Sequence, residues 1–135
     1  QGCNLSLTAR LRGQLFVLYF GAAMAVRHIV MFRLKAETTA EQKEQLMEAM
    51  RGMQNAEGLK DIIKALRVGE DLGIPHPSGP NASIAAMVDV ESQEAYELYA
   101  KHPEHVKVIE GFIKPVIEPG SRTAAQFNIP AVGQI

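Results

Sequence analysis

Val26-Arg27-His28-Ile29-Val30-Met31-Phe32-Arg33-Leu34-Lys35 decides the fold, because its apolar residues recur at every second position. Val26, His28, Val30, Phe32 and Leu34 share one face of a strand; Arg27, Ile29, Met31, Arg33 and Lys35 share the other, which is only partly polar. Working outward, Thr38-Thr39-Ala40-Glu41-Gln42 offers two overlapping capping boxes, Thr38 with Glu41 or Thr39 with Gln42. Leu46, Met50 and Met53 then recur at helical spacing, which predicts a helix over 39–56. Ile62, Lys64, Leu66 and Val68 alternate with Ile63, Ala65 and Arg67 in a second strand. Residues 71–81 hold five Gly or Pro in eleven positions and read as a loop. A third strand over 82–90 places Ile84, Ala86, Val88 and Val90 on one face. Ser92 caps a helix carrying Ala95, Leu98 and Tyr99, and His102-Pro103 interrupts it. Proline is welcome at the first turn of a new helix, so a second piece is expected over 103–114. Along that piece Val106, Ile109 and Ile113 form one apolar stripe, and His105, Ile109 and Phe112 form another. Residues 122–129 supply a closing strand.

Strand, helix, strand, strand, helix, strand is the order of an α+β, ferredoxin-like split βαβ domain, a four-stranded antiparallel sheet with its helices on one face. The opposite face carries Ile29, Met31, Ile63, Ala65, Ala85 and Met87, too apolar to be left to water. A second copy packed sheet to sheet would cover it. The expectation is therefore a homodimer with a barrel-like core, a dimeric α/β barrel.

The chain has 135 residues, 47% hydrophobic and 21% charged, enough for one modest core. A formal charge of -1 provides no basic face for phosphates, so no nucleic-acid partner is expected. The lone Cys3 has no partner for an internal disulfide. Residues 1–23 carry Arg10 and Arg12 without an acid, a net +2 against -3 for residues 24–135. Leu15 to Ala23 is a short apolar run behind those arginines, too short to span a bilayer, so no membrane association is expected. Three origins fit this N-terminal extension: an upstream translated or cloning-derived segment, a signal peptide cleaved near Ala23-Met24-Ala25, or a structural arm. The folded domain is expected over 24–135, and its location in the cytoplasm.

The first strand, together with Tyr99-Ala-Lys-His102-Pro103-Glu-His105-Val106 and Phe112-Ile-Lys-Pro115, resembles the stress-responsive A/B barrel domain family, also called Dabb. The likeness runs over about Met24 to Asn128. It implies a dimeric α+β barrel, the fold reached above by a separate route. Most members of the family have no assigned reaction; one branch holds a polyketide cyclase, olivetolic acid cyclase, which works without a cofactor. The cyclase's catalytic tyrosine and histidine resemble Tyr99 and His105, and its strand-one pocket histidine resembles His28. A pocket histidine of the cyclase falls at about Ile84 here, and its closing Phe-Asp-Tyr is replaced by Gln126-Phe127-Asn128, so its substrate is not carried over.

Two functional classes follow. The first is a structural or small-ligand-binding dimer in which His102 caps the new helix and His105 satisfies a backbone carbonyl or the Tyr99 hydroxyl. The second is a cofactor-independent enzyme, cyclase-like or lyase-like, acting on a small apolar carbonyl compound. In it Tyr99 and His105 form the catalytic acid/base pair, and His28, Phe32, Ile84 and His102 bind substrate. No cofactor is expected. His102 and His105 could share a metal only with a further ligand from His28, His76, Glu104 or another subunit, so no metal is assigned. Met47, Met50 and Met53 read as core filling, His76 as a solvated loop residue, and Glu44, Glu48 and Arg51 as a solvated helix face.

Overall fold

The computed structural model describes residues 5–11, 14–20 and 24–131, and in it the alternation beginning at Val26 forms an interior strand of a four-stranded sheet. Strands β1 (Leu5–Leu11) and β2 (Gln14–Phe20) pair with each other in a separate antiparallel sheet. Positions 21–23, on which the signal-peptide reading turns, lie outside the described residues. The main sheet contains β3 (Met24–Phe32), β4 (Ile63–Glu70), β5 (Ile84–Val90) and β6 (Thr123–Pro130) in the order β4-β5-β3-β6, every neighbour antiparallel. Helices α1 (Ala40–Gly52), α2 (Gln93–Lys101) and α3 (Pro103–Val108) complete the α+β ferredoxin-like unit.

The strand parities place the core. Val26 and Phe32 from β3 and Ile84, Ala86, Val88 and Val90 from β5 form one buried cluster with Leu46, Met47, Met50 and Met53 beneath α1. Each fully buried aliphatic or aromatic side chain there contributes about 1.5–3 kcal/mol over exposure. Of the two capping boxes, Thr39 with Gln42 forms, with the Gln42 amide donating to Thr39 Oγ1 at 3.1 Å and Gln42 Oε1 accepting from the Thr39 amide at 2.9 Å. Ser92 caps α2 by accepting from the Ala95 amide.

Three local expectations are corrected. Ile63, expected on the outer face, lies in the core at 5% exposure. A β-bulge between Ile63 and Ala65 sets two β4 residues against one step of β5 and reverses the parity before Ala65. The helical piece expected over 103–114 is α-helical only to Val108, and Ile109–Ile113 is a π-turn in which the Lys114 amide donates to the Ile109 carbonyl. Within α3 it is Val108 that is buried while Val106 stands exposed, and the wider turn shifts the phase beyond it, where Phe112 stands exposed. Leu98, read with Ala95 and Tyr99, faces outward at 64% exposure.

Candidate functional site

The break at His102 builds the site. Its backbone is extended, which ends α2 and lets Pro103 start α3 in a new direction. His102 Nδ1 accepts from the Glu104 amide at 3.2 Å and so caps α3. Its Nε2 edge rests on Gly58, whose φ of +81° suits glycine, and a Cβ there would stand 2.5 Å from that nitrogen. The turn of α3 carries His105 back over α2, where its ring lies 4.3 Å from that of Tyr99. Spacing across the Pro103 break does not reveal this proximity; the fold supplies it.

Below them is His28 on β3, its ring 6.2 Å from Tyr99 and 5.3 Å from Tyr96. Tyr96 lies one turn before Tyr99 on α2, the same face, and this spacing in the sequence was the signal for it. Gln126 on β6 stands directly opposite His28, its side-chain nitrogen 2.7 Å from His28 Nδ1. Gln126 lies within the Gln126-Phe127-Asn128 replacement already visible in the sequence. A cavity of about 330 Å³ is lined by Tyr96, Gln126 and Phe127 but not by His28, Tyr99 or His105.

Phe32 and Ile84 do not join it. They pair with each other across β3 and β5, fully buried in the core. Four residues along a strand from His28 is about 13 Å. His102 caps α3 and lines a separate recess with Leu98 and Lys101. A larger cleft of about 760 Å³, between Thr38, Lys43, His76 and Asn81, shares no residue with the cluster.

The electrostatics favour uncharged groups. Burial is the main reason the His28 pKa falls to about 4, with the charges of Arg122 and His105 adding to it. The His105 pKa is lowered by burial as well, opposed by its hydrogen bond to the Ala100 carbonyl and assisted by Arg122 and His102. Burial pushes the Tyr99 phenol above its ordinary value, with Tyr96 a lesser cause. At neutral pH the cluster is two neutral imidazoles and a protonated phenol. His105 Nδ1–H donates to the Ala100 carbonyl at 3.0 Å, which leaves Nε2 as an open acceptor. Among the described residues nothing hydrogen-bonds the Tyr99 hydroxyl, His28 Nε2 or His105 Nε2, and none of these atoms is sealed from solvent. Also among the described residues, no three His, Cys, Asp or Glu side chains gather as a metal ion requires, and no helix is long and apolar enough to cross a membrane.

The sequence profile described as the stress responsive A/B barrel domain matches residues 26–129. The chain belongs to that family. The Dabb assignment agrees with solved structures. A dimeric ferredoxin-like protein of unknown function from Thermobifida fusca is 28% identical, with a TM-score of 0.66 over 79% of this chain and 92% of that one. A Dabb family protein from Mesorhizobium loti is 18% identical, with a TM-score of 0.60 over 79% and 97% of the two chains. A hydroxynitrile lyase from Passiflora edulis is 22% identical, with a TM-score of 0.65 over 79% and 94%. The last two likenesses are likenesses of fold. No curated protein matches the chain. Membership in the Dabb family carries no specific activity with it.

Proposed function

We propose that this Dabb protein is a homodimer that binds a small, uncharged, largely apolar carbonyl compound against Tyr99, His105 and His28. The observation that carries the ligand is the gathering, around one set of packed rings, of three polar atoms that no described residue bonds: the Tyr99 hydroxyl, His28 Nε2 and His105 Nε2. These atoms are open to solvent, so a polar ligand atom can take the place of water on them. The test is an NMR titration with acetone and larger ketones, following the Tyr99 ring and the histidine nitrogens. Saturable shifts at Tyr99 and His105 are expected, and their absence across the series overturns the reading.

Dimerisation is supported by the sheet face away from the helices. Across it run the rows Met31 with Ala85 and Thr123, Ile29 with Met87 and Ala125, and Arg27 with Asp89 and Phe127. Met31 and Phe127 are 39% and 45% exposed, a large apolar surface for a single copy to leave wet. The dimeric state of the Thermobifida fusca protein, as described for it, points the same way. Light scattering at micromolar concentration should return twice the mass of one chain; a monomer overturns the dimer. The cytoplasm is the proposed location, since one cysteine gives no disulfide that requires an oxidising compartment.

One observation favours a second reading, a cofactor-independent enzyme of cyclase-like or lyase-like type. The hydrogen bond to Ala100 leaves His105 Nε2 bare beside Tyr99. There His105 would take a proton from the carbon next to a carbonyl, and the Tyr99 hydroxyl would donate to the enolate oxygen as charge develops. Exchange of ketone α-protons with deuterated solvent, accelerated by the wild type and abolished in His105→Gln, is the expected signature. Equal exchange rates for the two proteins would discard it.

A further inference from the structure

His28 and Gln126 face each other across β3 and β6, and their hydrogen bond sets which nitrogen of His28 carries the ring proton. The Gln126 side-chain N–H donates and His28 Nδ1 accepts at 2.7 Å, so the proton sits on Nε2. His105 holds the opposite tautomer, with Nδ1–H donating to the Ala100 carbonyl. The two imidazoles packed against Tyr99 therefore offer unlike free nitrogens, a donor on His28 and an acceptor on His105. A carboxylate has acceptors only and meets the His105 lone pair unfavourably. A simple ketone leaves that lone pair unused. A molecule with a carbonyl beside a hydroxyl satisfies both.

We infer that Gln126 is a positioning residue that fixes His28 as a hydrogen-bond donor, making the site selective for an uncharged hydroxy-carbonyl or enolised dicarbonyl compound. This rests on the ligand-binding reading above and narrows it. Gln126 comes from the edge strand and is solvent-exposed, so its replacement leaves the core untouched.

Long-range proton–nitrogen NMR of the full chain reads each histidine tautomer directly. The wild type should show His28 protonated on Nε2 and His105 on Nδ1. In Gln126→Glu the carboxylate only accepts, so the His28 proton should move to Nδ1 while His105 stays as it was. Hydroxyacetone should bind the wild type more tightly than acetate does, and Gln126→Glu should weaken hydroxyacetone about tenfold, the loss of roughly one hydrogen bond. A wild-type His28 protonated on Nδ1, or a tautomer unchanged in Gln126→Glu, overturns the role of Gln126. Expected tautomers with acetate binding as tightly as hydroxyacetone overturn the selectivity. If neither probe moves the Tyr99 ring signals of the wild type, the ligand-binding reading fails with it, whatever the tautomers are.

Discussion

At the scale of single residues, the cluster separates what the fold needs from what a ligand would use. No described residue bonds the Tyr99 hydroxyl, so Tyr99→Phe should leave folding free energy within about 0.5 kcal/mol of wild type. The same change should weaken ketone binding about tenfold if, as proposed, that hydroxyl bonds the ligand. Calorimetric unfolding and the NMR titration together check the pair of outcomes. His28 adds a pH dependence. Its ordinary pKa of 6.5 holds in the unfolded chain, whereas the folded value is about 4, so over that window the unfolded chain binds a proton that the folded one rejects. Stability is therefore full above pH 6.5 and falls as pH drops toward 4, by on the order of 3 kcal/mol from this residue. The lowered His105 pKa acts in the same direction. Urea midpoints for His28→Leu, measured at neutral pH and at the acid end of the window, should differ less than those of the wild type. Tyr99, His105 and His28 were legible because they sit in a recognisable sequence element. Gln126 was not assigned, because its role depends on a register between segments 98 residues apart, and no local pattern encodes such a register. The resemblance points to Phe32 and Ile84 as lining residues, but parity only puts a side chain on the inner face and does not say how far along the sheet it lies from the histidine.

Among the elements, α1 shows how two equal local signals resolve. Thr38 and Thr39 each had a suitable partner three residues on, and the chain uses Thr39, leaving Thr38 Oγ1 buried without a hydrogen bond. Thr39→Ala should cost about 1 kcal/mol of stability, the ordinary worth of a helix cap. Thr38→Val, which exchanges an unbonded hydroxyl for a methyl, should cost nothing or stabilise. Thermal denaturation of the two variants, substituted at adjacent positions, tests that asymmetry. Strands β3 and β5 follow their alternation faithfully. The β4 bulge and the π-turn after α3 do not, since each inserts one residue into a regular period. A bulge has no compositional mark here, and so Ile63 was placed on the wrong face.

For the whole molecule, the proposed dimer turns on the face of the sheet away from the helices. Asp89 is only 4% exposed there, and its carboxylate accepts two hydrogen bonds from Arg27 at 2.8 Å. With Arg67 opposite Met87, this pair sets fixed polar points in a mostly apolar surface, which in the proposed dimer would resist arbitrary sliding of one sheet over another. The double variant Met31→Asp, Phe127→Asp should shift the protein to a monomer in light scattering while its far-ultraviolet circular dichroism stays that of the wild type. The fold class was readable because six elements in that order leave few topologies. The strand order has one more consequence, for synthesis on the ribosome. Interior strand β3 is made early, yet one of its two neighbours, β6, is the last strand of the domain to be made. The nascent chain must therefore hold an unfinished edge until nearly all of it has emerged, and contacts of such long sequence separation close slowly. Chains cut short before Thr123 would retain every helix and still lack half of the hydrogen bonding that β3 requires, which makes them natural substrates for chaperones and proteases.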